Sequence, residues 1–263
     1  MKNPRGKFTM YNIMKEDPYL VPHLPNTDQL TEKALSRYLD KYGIVIVKPC
    51  RGAKGKGVVQ VRCVDDGRVE IQSGRSKLEL ESREAAYAHL KEHHIIERKK
   101  YIVQERIDLS TVEGNPVDVR VVVQRRMRFF RWEVTGILVK VSADGYFVTN
   151  HATAVMHLED ALRASSAAFL DPVVVQKGLS AIARRTARKL QAPYPQLRCI
   201  GLDIGFTNKG ELFIIEANLD PDLEMFKPLQ DKSMYNKIMK FKKGWRCSLL
   251  HKLTVFLKKI IKR

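Results

Sequence analysis

A β-branched run, Ile44-Val45-Ile46-Val47, delivers Lys48 and Pro49 to a segment where glycines and cations alternate. That segment, Cys50-Arg51-Gly52-Ala53-Lys54-Gly55-Lys56-Gly57, runs directly into Val58-Val59. Such a pattern dictates strand, glycine loop, strand: β-branched residues favour an extended chain, and glycines release the backbone from it. Glycines also let backbone N–H groups turn toward a ligand that a Cβ would block. The lysine and neighbouring cations suit a polyphosphate. Taken alone, the loop admits two readings, a nucleotide cradle or a glycine-bearing hairpin.

With 263 residues the chain can bury a sizeable core, as one lobed domain or two small ones. No run of about eighteen apolar residues occurs, so no membrane-spanning segment is expected. The basic start, Met1 to Lys7, lacks an apolar segment behind it, and a secretory signal is not expected. Cys50, Cys63, Cys199 and Cys247 are scattered without a C-x-x-C pair, which fits reduced thiols in a cytoplasmic setting. The adjacent His93 and His94 carry no metal-ligand spacing. A net charge of +18 implies attraction to polyanions of every kind and selects none.

Periodicity yields mixed elements. Helical pieces punctuated by Pro18, Pro22 and Pro25 fill the opening, and Thr27 to Tyr42 fits a helix capped by Thr31 or Asp28. After the glycine loop come a turn at Asp65-Asp66-Gly67, a strand over Val69 to Ile71, and a helix from Ser82 to His94. Tyr101 to Ile107 reads as a strand, and Asp108 to Pro116 as a polar linker. Val117 to Gln124 and Trp132 to Val141 alternate as antiparallel strands, with a further short strand at Tyr146 to Asn150. A helix spans Pro172 to Leu190, and Cys199 to Phe206 with Glu211 to Ala217 forms a hairpin. Strands and helices that mix without strict alternation argue for an α+β fold.

The last hairpin holds a second group. Glu216 and Asn218 lie two apart and share a strand face, and Asp203 on the preceding strand can oppose them. Two carboxylates and an amide oxygen on one face make a hard-oxygen set suited to Mg²⁺ on phosphates. The alternative is a solvated strand face, which the apolar neighbours and the mutual repulsion of facing carboxylates disfavour.

These pieces, in this order, resemble the ATP-grasp superfamily from about Lys7 to Phe226, and within it the YheC/YheD family of endospore coat-associated proteins in short form. The resemblance is carried by Lys7-Phe8-Thr9-Met10-Tyr11, Leu24-Pro25-Asn26-Thr27, Val47-Lys48-Pro49 with its glycines, Val148-Thr149-Asn150 and Glu216-Ala217-Asn218. It implies an ATP-grasp domain over 1–235, two α+β lobes gripping nucleotide between them, with 48–107 as the mobile lobe. It implies that Lys48 meets the ATP phosphates, that Gly52, Lys54, Gly55 and Gly57 belong to a closing flap, and that Lys7 faces the nucleotide. Gln104, Glu105, Arg106 and Ile107 match the hinge strand at the adenine edge. Asp118 is placed near the ribose and Arg120 near phosphate or substrate, so that Lys48 and Arg120 are the catalytic candidates. Asn150 is placed beside the phosphates, and Asp203, Glu216 and Asn218 at Mg²⁺. For Asp118 and Arg120, pairing with strand neighbours is the competing reading. For Glu105 and Arg106 it is a solvated strand end.

The activity so implied is ligase chemistry: a carboxylate and ATP give an acylphosphate, from which an amine or thiol acceptor displaces phosphate. Three departures bear on it. Only about forty residues precede Lys48, no double glycine follows Asn150, and Leu219-Asp220-Pro221-Asp222 stands where ligases usually carry a small-residue glycine turn. A non-enzymatic coat-assembly protein is therefore the alternative, and a charge-driven nucleic-acid or anionic-surface binder the third; no reading motif for specific nucleic acid is present. The tail over 236–263 is basic, with Leu249, Leu253, Phe256, Leu257 and Ile260 at helical spacing. It fits a coat-protein or anionic-surface contact, or a helix packed on the domain.

Overall fold

The computed structural model describes residues 6–52, 55–126, 131–149 and 152–244. Two antiparallel sheets organise them. The first has the order β1 (Thr27–Gln29), β6 (Tyr101–Glu105), β2 (Ile44–Pro49), β3 (Val59–Cys63), β4 (Val69–Ser73), β5 (Ser76–Leu80). The second has the order β10 (Ala152–Met156), β9 (Trp132–Ser142), β8 (Asn115–Arg125), β11 (Cys199–Phe206), β12 (Leu212–Asn218), with the two-residue β7 (Thr111–Val112) on β8.

Each sheet is amphipathic by alternation, and each gives its apolar face to helices. In the first, Val45, Val47, Val59, Val61 and Val103 pack on α2 (Glu32–Tyr42) and α3 (Arg83–His93) through Leu35, Leu39 and Leu90. In the second, Val117, Val119, Val121 and Val123 face α5 (Pro172–Gln191), which buries Leu179, Ile182 and Leu190, together with α1 (Lys7–Lys15) and α4 (Leu158–Ala164). The intervening residues, among them Lys48, Gln60 and Gln104 in one sheet and Asp118, Arg120 and Lys140 in the other, are buried and polar. A shared cleft lies where these polar faces meet.

Local chemistry sets the helix ends. The Thr31 hydroxyl accepts the Ala34 N–H at 3.0 Å and Gly43 closes α2 at φ +68°. Ser82 accepts the Ala85 N–H, and Asp171 before Pro172 accepts that of Val173.

Several expectations need correction. Thr27 to Gln29 is an edge strand, not the start of a helix, because Thr27 to Gln29 pair with Gln104 to Ile102 and the Gln104 amide donates to Thr27 Oγ1 at 2.7 Å. The cap is accordingly Thr31. Tyr146 to Thr149 forms no strand, since Ser142 Oγ donates to the Val148 carbonyl at 2.7 Å; the paired segment is β10. The strands β5 and β7 and the helix α4 add to the elements that the periodicity predicts. A helix over 233–244 crosses the boundary placed at 235 and buries Ile238 and Phe241, with Ile238 packing on Phe226 and Leu138 on the far part of the second sheet. The rest of the basic tail, 245–263, lies outside the described residues. Among the described residues no helix is long and apolar enough to cross a membrane.

Candidate functional site

Lys48, next to last in β2, is the first side chain to cross the cleft. Its ammonium donates to the Ile215 carbonyl at 3.2 Å. That carbonyl is available because β12 carries a bulge: Asp203 pairs with Glu216 and Ile204 with Ile214, leaving Ile215 as the extra residue. The bulge also sets Glu216 opposite Asp203 on the cleft face. Lys48 is only 5% exposed. Burial pulls its pKa from 10.5 down to about 8, against the upward pull of Glu216; Lys7 adds to the lowering, while Asp203 opposes it.

Lys7, at the start of α1, ties three parts together. Its ammonium lies 3.2 Å from Glu216 Oε1 and donates to the Gly52 carbonyl at 3.2 Å, while its N–H donates to the Cys50 carbonyl at 2.8 Å. The glycine loop thus begins beside the second sheet. Gly55 and Gly57 stand at φ +66° and +75°, in the left-handed region, which is the local reason for glycine there. Lys54 and Asn150 lie outside the described residues.

On the second sheet Asp118, Arg120, Lys140 and Asp203 form a buried charge cluster. Arg120 holds Asp203 with both prongs, Nε to Oδ1 at 2.7 Å and Nη2 to Oδ2 at 3.0 Å. Lys140 Nζ lies 2.9 Å from Asp118 Oδ1 and 3.1 Å from Asp203 Oδ1, and Thr149 Oγ1 donates to Asp118 Oδ2. Burial favours the neutral carboxyl at both aspartates. At Asp203 the cations Lys140 and Arg120 overcome it and hold the group at about 2; at Asp118, with less cationic help, burial prevails and the pKa is raised.

The hinge residues line the cleft between these centres. Strand β6 stops at Glu105, so Arg106 and Ile107 continue as the connection between the sheets and line the cleft with Gln104 and Glu105. The Gln104 amide is committed to Thr27, and Glu105 Oε2 accepts both the N–H and the side-chain amide of Asn26, at 3.0 and 2.9 Å. Contact with a ligand edge therefore falls mainly to the backbone of this segment.

The three residues expected at Mg²⁺ differ in how free their donor atoms are. Glu216 is ion-paired only through Oε1, to Lys7, among the described residues, and Asn218 brings an amide oxygen, so both fit a hard cation shared with phosphate oxygens. Asp203 fits less well. Its two oxygens already receive Arg120 twice, Lys140 once, and the Asn218 amide at 3.3 Å, about the full acceptor capacity of a carboxylate. Among the described residues no group of three His, Cys, Asp or Glu could hold a metal.

The structure thus brings together Lys7, Lys48, Asp118, Arg120, Asp203, Glu216, Asn218 and the hinge. Sequence reasoning missed Lys140 and the Thr149–Asp118 bond. Lys140 had a signal: it is the one charge in the apolar run Gly136 to Val141, a position where a strand buried on both faces tolerates an ion only with partners.

Two antiparallel sheets, each backed by helices on its outer face, with a lysine-bearing strand and a glycine loop facing a carboxylate hairpin, define an ATP-grasp fold. In three dimensions the chain is similar to N5-carboxyaminoimidazole synthetase from Staphylococcus aureus complexed with ADP, at TM-score 0.54 and 9% identity, over 91% of this chain and 51% of that one. It is likewise similar to D-alanine–D-alanine ligase from Bacillus anthracis, at TM-score 0.51 and 14% identity, over 92% and 67%. The chain belongs to the YheC/D-like ATP-grasp family, whose pattern matches residues 2–242. It is 26% identical over 232 residues to the endospore coat-associated protein YheD of Bacillus subtilis (strain 168), covering 84% of this chain and 49% of that protein. The chain therefore spans about half the length of that curated relative.

Proposed function

We propose that this chain binds Mg-ATP in the cleft between its sheets and uses it to activate a carboxylate for attack by an amine or thiol. The observation that carries the reading is Lys48, a buried ammonium whose pKa is depressed to about 8, facing the Glu216 side of a cleft bounded by the hinge. A buried cation without a full counter-charge is stabilised by an arriving polyanion.

In this reading the backbone of 104–107 meets the base, and the lobe over 48–107 closes its glycine loop on the phosphates. Lys48 and Lys7 offset charge on the phosphate chain. Glu216 and Asn218 would hold Mg²⁺, which supplies charge neutralisation at the transferring phosphoryl group. Arg120 and Lys140, fixed by Asp203 and Asp118, present a cationic surface where the carboxylate would lie. A carboxylate oxygen attacks the γ-phosphorus, and the bond to the β-phosphate oxygen breaks to release ADP. An amine nitrogen or thiol sulfur then bonds to the acyl carbon, the C–O bond to phosphate breaks, and the nucleophile's proton leaves to phosphate or water. Release of ADP that depends on a carboxylate and vanishes in Lys48→Ala tests this. No Mg-ATP binding by wild type at millimolar nucleotide would end it.

A second reading has its own observation. Asp203 is saturated by Arg120, Lys140 and Asn218, an arrangement that suits nucleotide binding without turnover, in a coat-associated role like that named for the B. subtilis relative. Tight Mg-ATP binding without ADP release, whatever carboxylate is offered, would favour it.

A further inference from the structure

Helix α5 is built from 20 residues that include five cations, Lys177, Arg184, Arg185, Arg188 and Lys189, and no acidic residue. Two of the five are matched by acids following α1: Arg185 Nε lies 2.5 Å from Asp17 Oδ2, and Lys189 Nζ 2.9 Å from Glu16 Oε2. Lys177, Arg184 and Arg188 have no ion-pair partner among the described residues. At about 100° of rotation per residue, these three share an arc of about 100° with Val173 and Val174. That arc lies opposite the buried stripe of Val175, Leu179, Ile182 and Leu190. Its N-terminal end is apolar. Val173 and Val174 are 56% and 63% exposed, and Phe169, in the turn just before the helix, is 72% exposed. The nearby acids are committed elsewhere. Asp171 accepts the Val173 N–H at 2.7 Å as the helix cap, and Glu159 and Asp160 on the neighbouring α4 are paired with Arg163.

We propose that this face docks on an anionic lipid bilayer, with Phe169 and the two valines entering the interfacial layer and Lys177, Arg184 and Arg188 lying along the headgroup phosphates. The proposal stands independently of the nucleotide reading. Exposed apolar side chains grouped beside a row of unpaired cations match a helix lying in the plane of a membrane interface. A helix of 20 residues is about 30 Å long, so its apolar end and its cations can meet one flat surface together. Other partners use less of the face. Duplex nucleic acid would engage the cations and leave Phe169 and the valines without a role. A second copy of the chain would set like charges against each other. The fold adds a consequence: α5 covers the apolar face of the second sheet, whereas Asp118, Arg120 and Lys140 lie on the other. Docking through α5 therefore leaves the cleft open on the side away from the bilayer.

Co-sedimentation of the full chain with vesicles of phosphatidylcholine, alone or mixed with phosphatidylglycerol, tests the proposal. Wild type is expected to bind the anionic vesicles and not the neutral ones. A net charge of +18 attracts any anionic surface, so the variants decide where the contact lies. Arg184→Gln/Arg188→Gln should weaken binding roughly 30-fold, at about fivefold per cation at the surface. Phe169→Ser/Val174→Ser, which leaves the charge unchanged, should weaken it about 10-fold. Lys33→Gln/Lys91→Gln removes the same charge from exposed positions on α2 and α3 and should change binding less than about threefold. Unfolding midpoints report that each variant is intact. No binding of wild type to anionic vesicles overturns the proposal, as do equal losses in the two charge variants. Undiminished vesicle binding by intact Phe169→Ser/Val174→Ser overturns it as well, and equal retention of that variant and wild type on duplex DNA would then assign the face to nucleic acid.

Discussion

Lys48 is placed where it costs stability, and its replacement by methionine exposes that cost. A lysine held at about 8 in place of 10.5 carries a penalty of about 3 kcal/mol while charged at pH 7. Methionine keeps most of the stem and removes the charge. Against this gain stands the lost hydrogen bond to the Ile215 carbonyl, worth about 1 kcal/mol. The nucleotide-free Lys48→Met protein is therefore expected to be more stable than wild type by about 1–2 kcal/mol, a rise of roughly 2–6 °C in Tm for a domain of this size. The pH dependence has a definite sign. The folded pKa is depressed, so the penalty is complete below about 8 and disappears as pH rises from there to 10.5, where the unfolded chain also loses its proton. The advantage of the variant should accordingly shrink over that interval. Urea unfolding at pH 7 and pH 10, paired with Mg-ATP titration, measures both sides, and affinity should fall roughly 10- to 100-fold, as expected for lost charge-assisted bonds to phosphate. A variant less stable than wild type by 1 kcal/mol or more at pH 7 would refute this account of Lys48.

The same group predicts proton uptake. Nucleotide raises the pKa of Lys48, so Mg-ATP binding near pH 8 should take up a fraction of a proton, read as a dependence of the calorimetric enthalpy on buffer ionisation; a null result contradicts the depressed pKa. Removing Arg120 as Arg120→Met strands Asp203 among fewer cations and should cost about 3–5 kcal/mol in chemical denaturation. In wild type the Asp203 carboxylate, held at about 2, contributes stability present above 3.8 and lost as pH falls toward 2, by about 2 kcal/mol in acid unfolding. Gly57→Ala, at φ +75°, should strain the loop by about 1 kcal/mol and weaken Mg-ATP binding more than it lowers Tm. Arg75 and Gln72 on the β4–β5 side donate to the Asp144 and Gly145 carbonyls at 3.0 Å each, so Arg75→Ala should speed amide exchange in β4 and β5 and leave β8 and β9 unchanged.

Alternation and turn chemistry made most of the fold legible. The valines at 117, 119 and 121 of β8 and the charges at 118 and 120 announce a sheet with one apolar and one polar face, and the caps Thr31, Ser82 and Asp171 sit where local bonding requires them. Thr27 to Gln29 was illegible because its extended form depends on β6, some seventy residues away. Tyr146 to Thr149 carries strand-like residues, yet Ser142 captures its Val148 carbonyl, a tertiary choice that propensity does not encode. At the site, spacing alone puts Glu216 and Asn218 on one strand face, but the bulge at Ile215 that sets Glu216 opposite Asp203 follows from the register alone. That Asp203 already binds two cations was hidden for the same reason: Lys140 meets it through β8, not through sequence.

Amide exchange across the molecule, with and without saturating Mg-ATP, tests the central claim most directly. The account predicts saturable binding with slowed exchange in 104–107, in the loop over 55–58 and in β11 and β12, and in Lys48→Met the same protection reached only at roughly 10- to 100-fold higher nucleotide. Saturable binding with protection elsewhere, or no binding at millimolar Mg-ATP, would contradict it.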